Sequence, residues 1–221
     1  MLLTPRLALA AKLCSGTKRV IDVGCDHAYL SIALAKEGVQ VEASDLRPGP
    51  LEHARAHICA AGLEDKISLT LCDGLSAFSP ADGDTVVICG MGGETIADIL
   101  ADAPWTAGGD HTLVLQPQTR ADTLRRFLAG HGYTVEEECL AREGGHLYCV
   151  LRARGGKPPM GAENDYICTE KIYSDPQFPE YLALRRARLR QVAAGKRRAG
   201  HDTAEEERIL KRLEALADGA R

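Results

Sequence analysis

No CxxC pair and no cysteine–histidine cluster at zinc spacing occurs in this sequence, although it carries eight cysteines, at positions 14, 25, 59, 72, 89, 139, 149 and 168. Several lie inside strand-like runs, VVIC at 86–89 and LYCV at 147–150. They read as small buried hydrophobes of a reducing compartment, not as a disulfide framework or a metal site. No run approaches the roughly 18–20 apolar residues of a membrane span. The N-terminal MLLTPRLALAAKLC lacks the form of a secretion signal, because Arg6 and Lys12 interrupt its apolar run; Thr4-Pro5 reads instead as the cap and first turn of a short helix. There is no excess of positive charge, the formal net charge being −4, so bulk electrostatics does not announce a nucleic-acid binder. No internal repeat occurs. These absences lead to the expectation of a cytoplasmic chain without metal or membrane; a monomer or weak dimer is expected besides.

What is present is an ordinary globular composition, 45% apolar and 26% charged, over 221 residues, enough for one domain and an appendage. From residue 19 strands and helices alternate. RVIDV (19–23), VQVEASD (39–45), KISLTLCDG (66–74), DTVVICGMGG (84–93) and HTLVLQP (111–117) read as strands. YLSIALAKEG (29–38), LEHARAHICAAG (51–62), ETIADIL (94–100) and TRADTLRRFLAGHG (119–132) read as helices. Such alternation implies a parallel sheet with right-handed crossovers. YTVEEECLAREGGHLYCVLRA (133–153) departs from it, as two strands joined at Gly144-Gly145. The expected fold is therefore α/β and Rossmann-like: a mostly parallel seven-stranded sheet with a terminal antiparallel hairpin, closer to a class I methyltransferase than to a dehydrogenase.

RGGKPPMG (154–161) has the composition of a linker, dividing a 1–154 domain from a 160–221 helical one. Leu182, Leu184, Leu189 and Val192 form one apolar stripe in that second part. Ile209, Leu210, Leu213 and Leu216 form another, and a helical hairpin turning near Gly200-His201 is the simplest arrangement.

The first turn, IDVGCDHAYL (21–30), stands where a dinucleotide-binding fold keeps GxGxxG, yet only Gly24 is glycine; Asp26 and Tyr29 occupy the other two positions. In open α/β sheets ligands bind at the carboxyl ends of the strands. Four such ends carry polar or glycine features here. They are Asp22, Gly24, Asp26 and His27; Asp45 with Leu46; Asp73-Gly74; and the flexible loop Gly90, Met91 and Gly92. Each has a plainer explanation: Asp45 as an N-cap or turn residue, Asp73-Gly74 as a turn, His27 as a helix-start residue. Together they form a crevice with several carboxylates. That suits the ribose, adenine, ammonium and sulfonium of S-adenosylmethionine (SAM) and repels a diphosphate.

DVGCDHAYLSIALA, ASDLRPGPLEHAR, LCDGL, ICGMGGETIADIL, LQPQ and the GGHLYCVLR hairpin together resemble the bacterial TrmK family, over about residues 5–152. Its members are tRNA (adenine-N1-)methyltransferases acting on adenine 22. LQPQ departs from the expected LQPN, which leaves the part played by Gln118 open. The resemblance implies SAM as cofactor and tRNA as partner. It also implies Gly24, Asp26 and His27 beside the methionine part with Asp22 supporting the loop, Asp45 at the ribose, Asp73 and Gly74 at the adenine, and Gly90 to Gly92 walling the transfer site.

Adenine N1 has a free lone pair at neutral pH, which agrees with the lack of a (D/N)PPY signature. The base becomes cationic as the bond forms, so Asp26, His27 and Gln116 are candidates for easing the transfer, Gln116 being alternatively a satisfied strand-end amide. Tyr29 would stack on an exposed base, or belong to the core of its helix. Between Leu184 and His201 lie Arg185, Arg186, Arg188, Arg190, Lys196, Arg197 and Arg198 without an acid among them. They would grip an RNA backbone, or pair with Glu205-Glu206-Glu207 as a solvated face. A methyltransferase for another RNA site or a small molecule, or a non-catalytic RNA-binding module, are the alternatives.

Overall fold

Runs of β-branched and leucine residues bounded by turn chemistry form a seven-stranded sheet in the computed structural model, which describes residues 2–156, 168 and 170–219. The strands are β1 (Arg19–Val23), β2 (Gln40–Asp45), β3 (Ile67–Leu71), β4 (Thr85–Gly92), β5 (Thr112–Thr119), β6 (Tyr133–Glu143) and β7 (His146–Gly155). Their order is β3-β2-β1-β4-β5-β7-β6, parallel through the first five, with β7 inserted antiparallel between β5 and β6. This is the Rossmann-like methyltransferase arrangement, with the hairpin where its sequence put it. The order reverses between β1 and β4, so the crevice above them is the topological switch point.

Val20, Ile21, Val86, Val87, Ile88, Leu113, Val114 and Leu115 are inaccessible to solvent, as strands covered on both faces require. On one face Val20, Val41, Val87 and Val114 meet Ala10 and Leu13 of α1 (Pro5–Leu13), Leu34 of α2 (Tyr29–Lys36), and Ala54 and Ile58 of α3 (Pro48–Ala61). Alternation turns Val86, Ile88, Leu113 and Leu115 to the other face. There α4 (Gly93–Ala101) packs on β4 and β5, and α5 (Ala121–Gly130) on α4 and β5. The third helix begins at Pro48, three residues before the expected start, because Pro48 and Pro50 fall within its first turn, where a missing N–H costs nothing.

The chain divides into two compact units, Met1–Tyr166 and Ile167–Arg221. From residue 157 the expected linker lies outside the described residues. In the second unit α6 (Phe178–Arg198) and α7 (Ala204–Gly219) pair as a helical hairpin. Leu182, Leu189, Ile209 and Leu213 are buried. Leu184 is not part of the seam: it is 51% exposed, two residues beyond Leu182 and therefore on the opposite side of the helix. Among the described residues no helix is long and apolar enough to cross a membrane.

Candidate active site

The carboxyl ends of β1, β2, β3 and β4 enclose a cleft of about 430 Å³. Asp22, Gly24, Asp26, His27, Tyr29, Asp45, Leu46, Asp73, Gly74, Gly90 and Met91 all line it. Four carboxylates thus converge from three strand ends, against two guanidinium groups, Arg6 and Arg47.

The first loop explains the missing glycines. Gly24 has φ +72°, and a side chain there would collide with the end of Met91. Asp26 adopts φ +49° and Ala28 φ +57°. A left-handed turn at the fingerprint's second position is therefore made by an aspartate, one of the few side chains that tolerate it. The loop is pinned by Gly24 and Cys25 N–H groups, both donating to the Ser44 carbonyl at 2.8 Å. Asp26 keeps 69% of its side chain exposed, with its carboxylate 3.9 Å from the His27 ring.

Asp22 differs from Asp26 in exposure and in partners. It is buried and accepts a short hydrogen bond from Ser31. Burial pushes its carboxyl up to about 6, against the lowering effect of Ser31. Burial likewise raises the thiols of Cys25 and Cys89, with the Asp22 charge adding to it, so both stay protonated and unreactive at neutral pH. All eight cysteines are free. Asp45 is nearly buried, and one of its oxygens accepts from the Arg47 backbone N–H at 3.0 Å.

Three expectations are revised. Gly90 to Gly92 is not a loop but the end of β4, which bulges against β5 on either side of Met91; Gly90, at φ +87°, provides the bend. Gly92 caps α4 and lies outside the cleft lining. Gln116 stands behind the wall rather than in it: it is fully buried, its Nε2 donates to the Pro117 carbonyl at 3.0 Å, and its Oε1 accepts from Arg6 at 2.9 Å.

Arg6 is the residue that sequence reasoning missed. It lines the cleft, its backbone N–H donates to Glu143 at 3.1 Å, and its guanidinium lies 3.8 Å from that carboxylate and 5.8 Å from the centre of the Tyr148 ring. Its partners lie 110 and 137 residues away along the chain. The only local signal is a basic residue interrupting an apolar helix start. On the hairpin, Arg186 and Arg190 face Glu214 at 3.7 and 2.7 Å, Lys196 faces Glu206 at 2.7 Å and Arg197 faces Glu207 at 2.8 Å. At least four of the seven tail cations are therefore matched within the hairpin.

Comparison with known proteins agrees with this geometry. Residues 3–151 match the family described as a methyltransferase domain. The tRNA (adenine(22)-N(1))-methyltransferase of Bacillus subtilis is 32% identical over 156 residues, 70% of this chain and 66% of that enzyme. This chain belongs to the TrmK family. The solved structure of B. subtilis TrmK superposes with a TM-score of 0.74 at 26% identity, covering 99% of this chain and 97% of that one. The Streptococcus pneumoniae protein Sp1610, solved in complex with S-adenosyl-L-methionine, superposes with a TM-score of 0.81 at 28% identity, covering 98% of this chain and all of the other.

Proposed function

We propose that the chain is a SAM-dependent tRNA methyltransferase, acting in the cytoplasm on N1 of adenine 22. The observation that carries this is the convergence of Asp22, Asp26, Asp45 and Asp73 on a single cleft at the switch point, joined to membership of the TrmK family.

The donor set fits SAM and not a dinucleotide. Two phosphates would meet four carboxylates and find no run of bare amides, whereas a ligand with a ribose, an amino group and a positive centre meets acceptors throughout. Asp45 would hold the ribose hydroxyls, Asp73 beside Gly74 the adenine amino group, and Asp26 with His27 the methionine end. Leu46, 62% exposed at the cleft, would cover the purine. When bound, SAM supplies a methyl group on a sulfonium, open to in-line displacement.

The protein's part is then positioning and electrostatics. Gly90 and Met91 shape the wall against which the acceptor base lies. The Asp26 carboxylate, free to point into the cleft, offsets positive charge developing on a base attacked through N1. Arg6 would be repelled by that charge were it not neutralised by Glu143. Held also by Gln116, it presents a fixed guanidinium whose remaining N–H groups can donate to an extruded nucleotide. Gln116 acts through Arg6 as a positioning residue.

The helical unit supplies the opposite charge. Ile167–Arg221 has twelve basic and nine acidic residues, while the first 166 residues have fifteen and twenty-two. Arg188 and Arg198 make no ion pair among the described residues and would contact the RNA backbone, with Arg185 set over the Tyr181 ring at 5.7 Å beside them. Incubation with labelled SAM and unmodified tRNA tests the function. Transfer to tRNA is expected, and SAM binding without transfer to any RNA would overturn it.

A further inference from the structure

Beside the cleft, His27 is joined by two histidines of α3 to which the reaction gives no part. His27 and Tyr29 line the cleft; His53 and His57, one turn apart on α3, do not, yet the four rings form one cluster in which His27, Tyr29 and His57 touch one another and His53 stacks on the outer side of His27. Ring centroids of His27 and His53 are 5.3 Å apart at 24°, His27 and Tyr29 5.5 Å at 21°, and Tyr29 and His57 5.2 Å at 21°. Three of the chain's seven histidines are gathered here. The His57 Nδ1–H donates to the His27 carbonyl at 3.0 Å, which fixes its ring. The packing of α3 does not need these rings, because Leu51, Ala54 and Ile58 already fill its buried face. His53 is exposed and makes no further ring contact among the described residues.

The geometry points to a base-stacking platform: the stack takes one unpaired nucleobase of the RNA, adjoining the nucleotide that enters the cleft. His53, stacked on His27 at 24° and exposed, leaves one flat ring face open, and unstacked bases are held on such faces whatever their sequence. The stack runs from the cleft mouth outward onto α3, so a base resting on His53 is a neighbour of the methylated one and not that base itself. An anion is a poor occupant, since the exposed Asp26 carboxylate lies 3.9 Å from the His27 ring and Glu52 adjoins His53 in sequence. The inference rests on the tRNA reading above and names where that substrate is gripped.

The test substitutes His53, which touches neither cofactor nor reacting atoms. His53→Ala should raise the KM for tRNA about 10-fold, the scale of a single base–aromatic stack, leaving kcat and SAM affinity within about twofold. His53→Phe should restore it. A 2-aminopurine placed next to the target adenine should be quenched by the wild-type chain and by His53→Phe, and stay bright with His53→Ala. Unchanged KM and quenching in His53→Ala would overturn the platform while leaving the methyltransferase intact, as would a defect that phenylalanine does not repair. A wild-type chain that binds SAM but no tRNA would overturn the function reading, and the platform with it.

Discussion

In the sheet unit, Asp22, Asp26, Asp45 and Asp73 share a cleft whose lining offers them few cations, whereas in the helical hairpin Glu206, Glu207 and Glu214 each face a lysine or arginine. The same residue types thus do different things. Carboxylates brought together at strand ends present a set of acceptors suited to a cationic ligand. Charges spaced along two helices neutralise one another in water, where each pair contributes little. A count of charges along the chain does not separate the two cases; the partner geometry does.

The largest expected effect tests a third kind of charge, the ion pair of Arg125 on α5 with Glu138 on β6, both essentially without solvent exposure. Arg125→Ala should destabilise the sheet unit by about 3–5 kcal/mol in urea denaturation, because the buried Glu138 carboxylate is deprived of its guanidinium; Arg125→Leu with Glu138→Leu should recover most of it. Next, Asp45→Ala should weaken SAM binding about 100-fold by calorimetry, roughly 3 kcal/mol, through removal of charged hydrogen bonds to the ribose.

Asp22 gives a pH-dependent effect of defined sign. Its folded pKa of about 6 stands above the ordinary carboxylate value of 3.8, so the folded state keeps a proton that the unfolded chain releases. The native state therefore loses stability as pH rises from about 4 through 6, by roughly 3 kcal/mol at most. Asp22→Asn should raise the unfolding free energy at pH 8 by up to about that amount, the gain shrinking toward pH 4. SAM binding should weaken in the same variant. A gain equal at pH 4 and pH 8 would show that burial of the charge is not its source.

The hairpin should respond less. Arg188→Glu with Arg198→Glu should lower tRNA affinity about tenfold at low salt and reduce the slope of log K against log salt by roughly 0.7–0.9 for each phosphate no longer neutralised. Arg190→Ala should change stability by less than about 1 kcal/mol, since its Glu214 partner is 46% exposed. A larger loss of stability there would erase the contrast between the two units.

The sheet and its ligand end were legible because strand periodicity and turn residues are local signals, and the carboxylates at 22, 26, 45 and 73 fall where each strand stops. The direction of a side chain was not. Gln116 is polar at a strand end, yet β5 alternation sends it inward to Arg6. The importance of Arg6 depends on Gln116 of β5 and Glu143 of the terminal hairpin, brought near only when α1 packs against both. The histidines at 53 and 57 are visibly one helical turn apart, but their meeting with His27 depends on the left-handed turn at Asp26 and Ala28. In the tail, pairing with acidic residues describes at least four cations of the arginine run, and Arg188 and Arg198 are not among those four.

Mapping the transferred methyl group decides whether the acidic cleft serves N1 of adenine 22. Purified chain, labelled SAM and an unmodified tRNA transcript are incubated beside the same transcript carrying 1-deazaadenine at position 22, in which a C–H replaces the N1 atom alone. Label is expected on adenine 22 of the first transcript and nowhere on the second. Equal labelling of both, or label at another nucleotide, would show that the cleft does not do this chemistry.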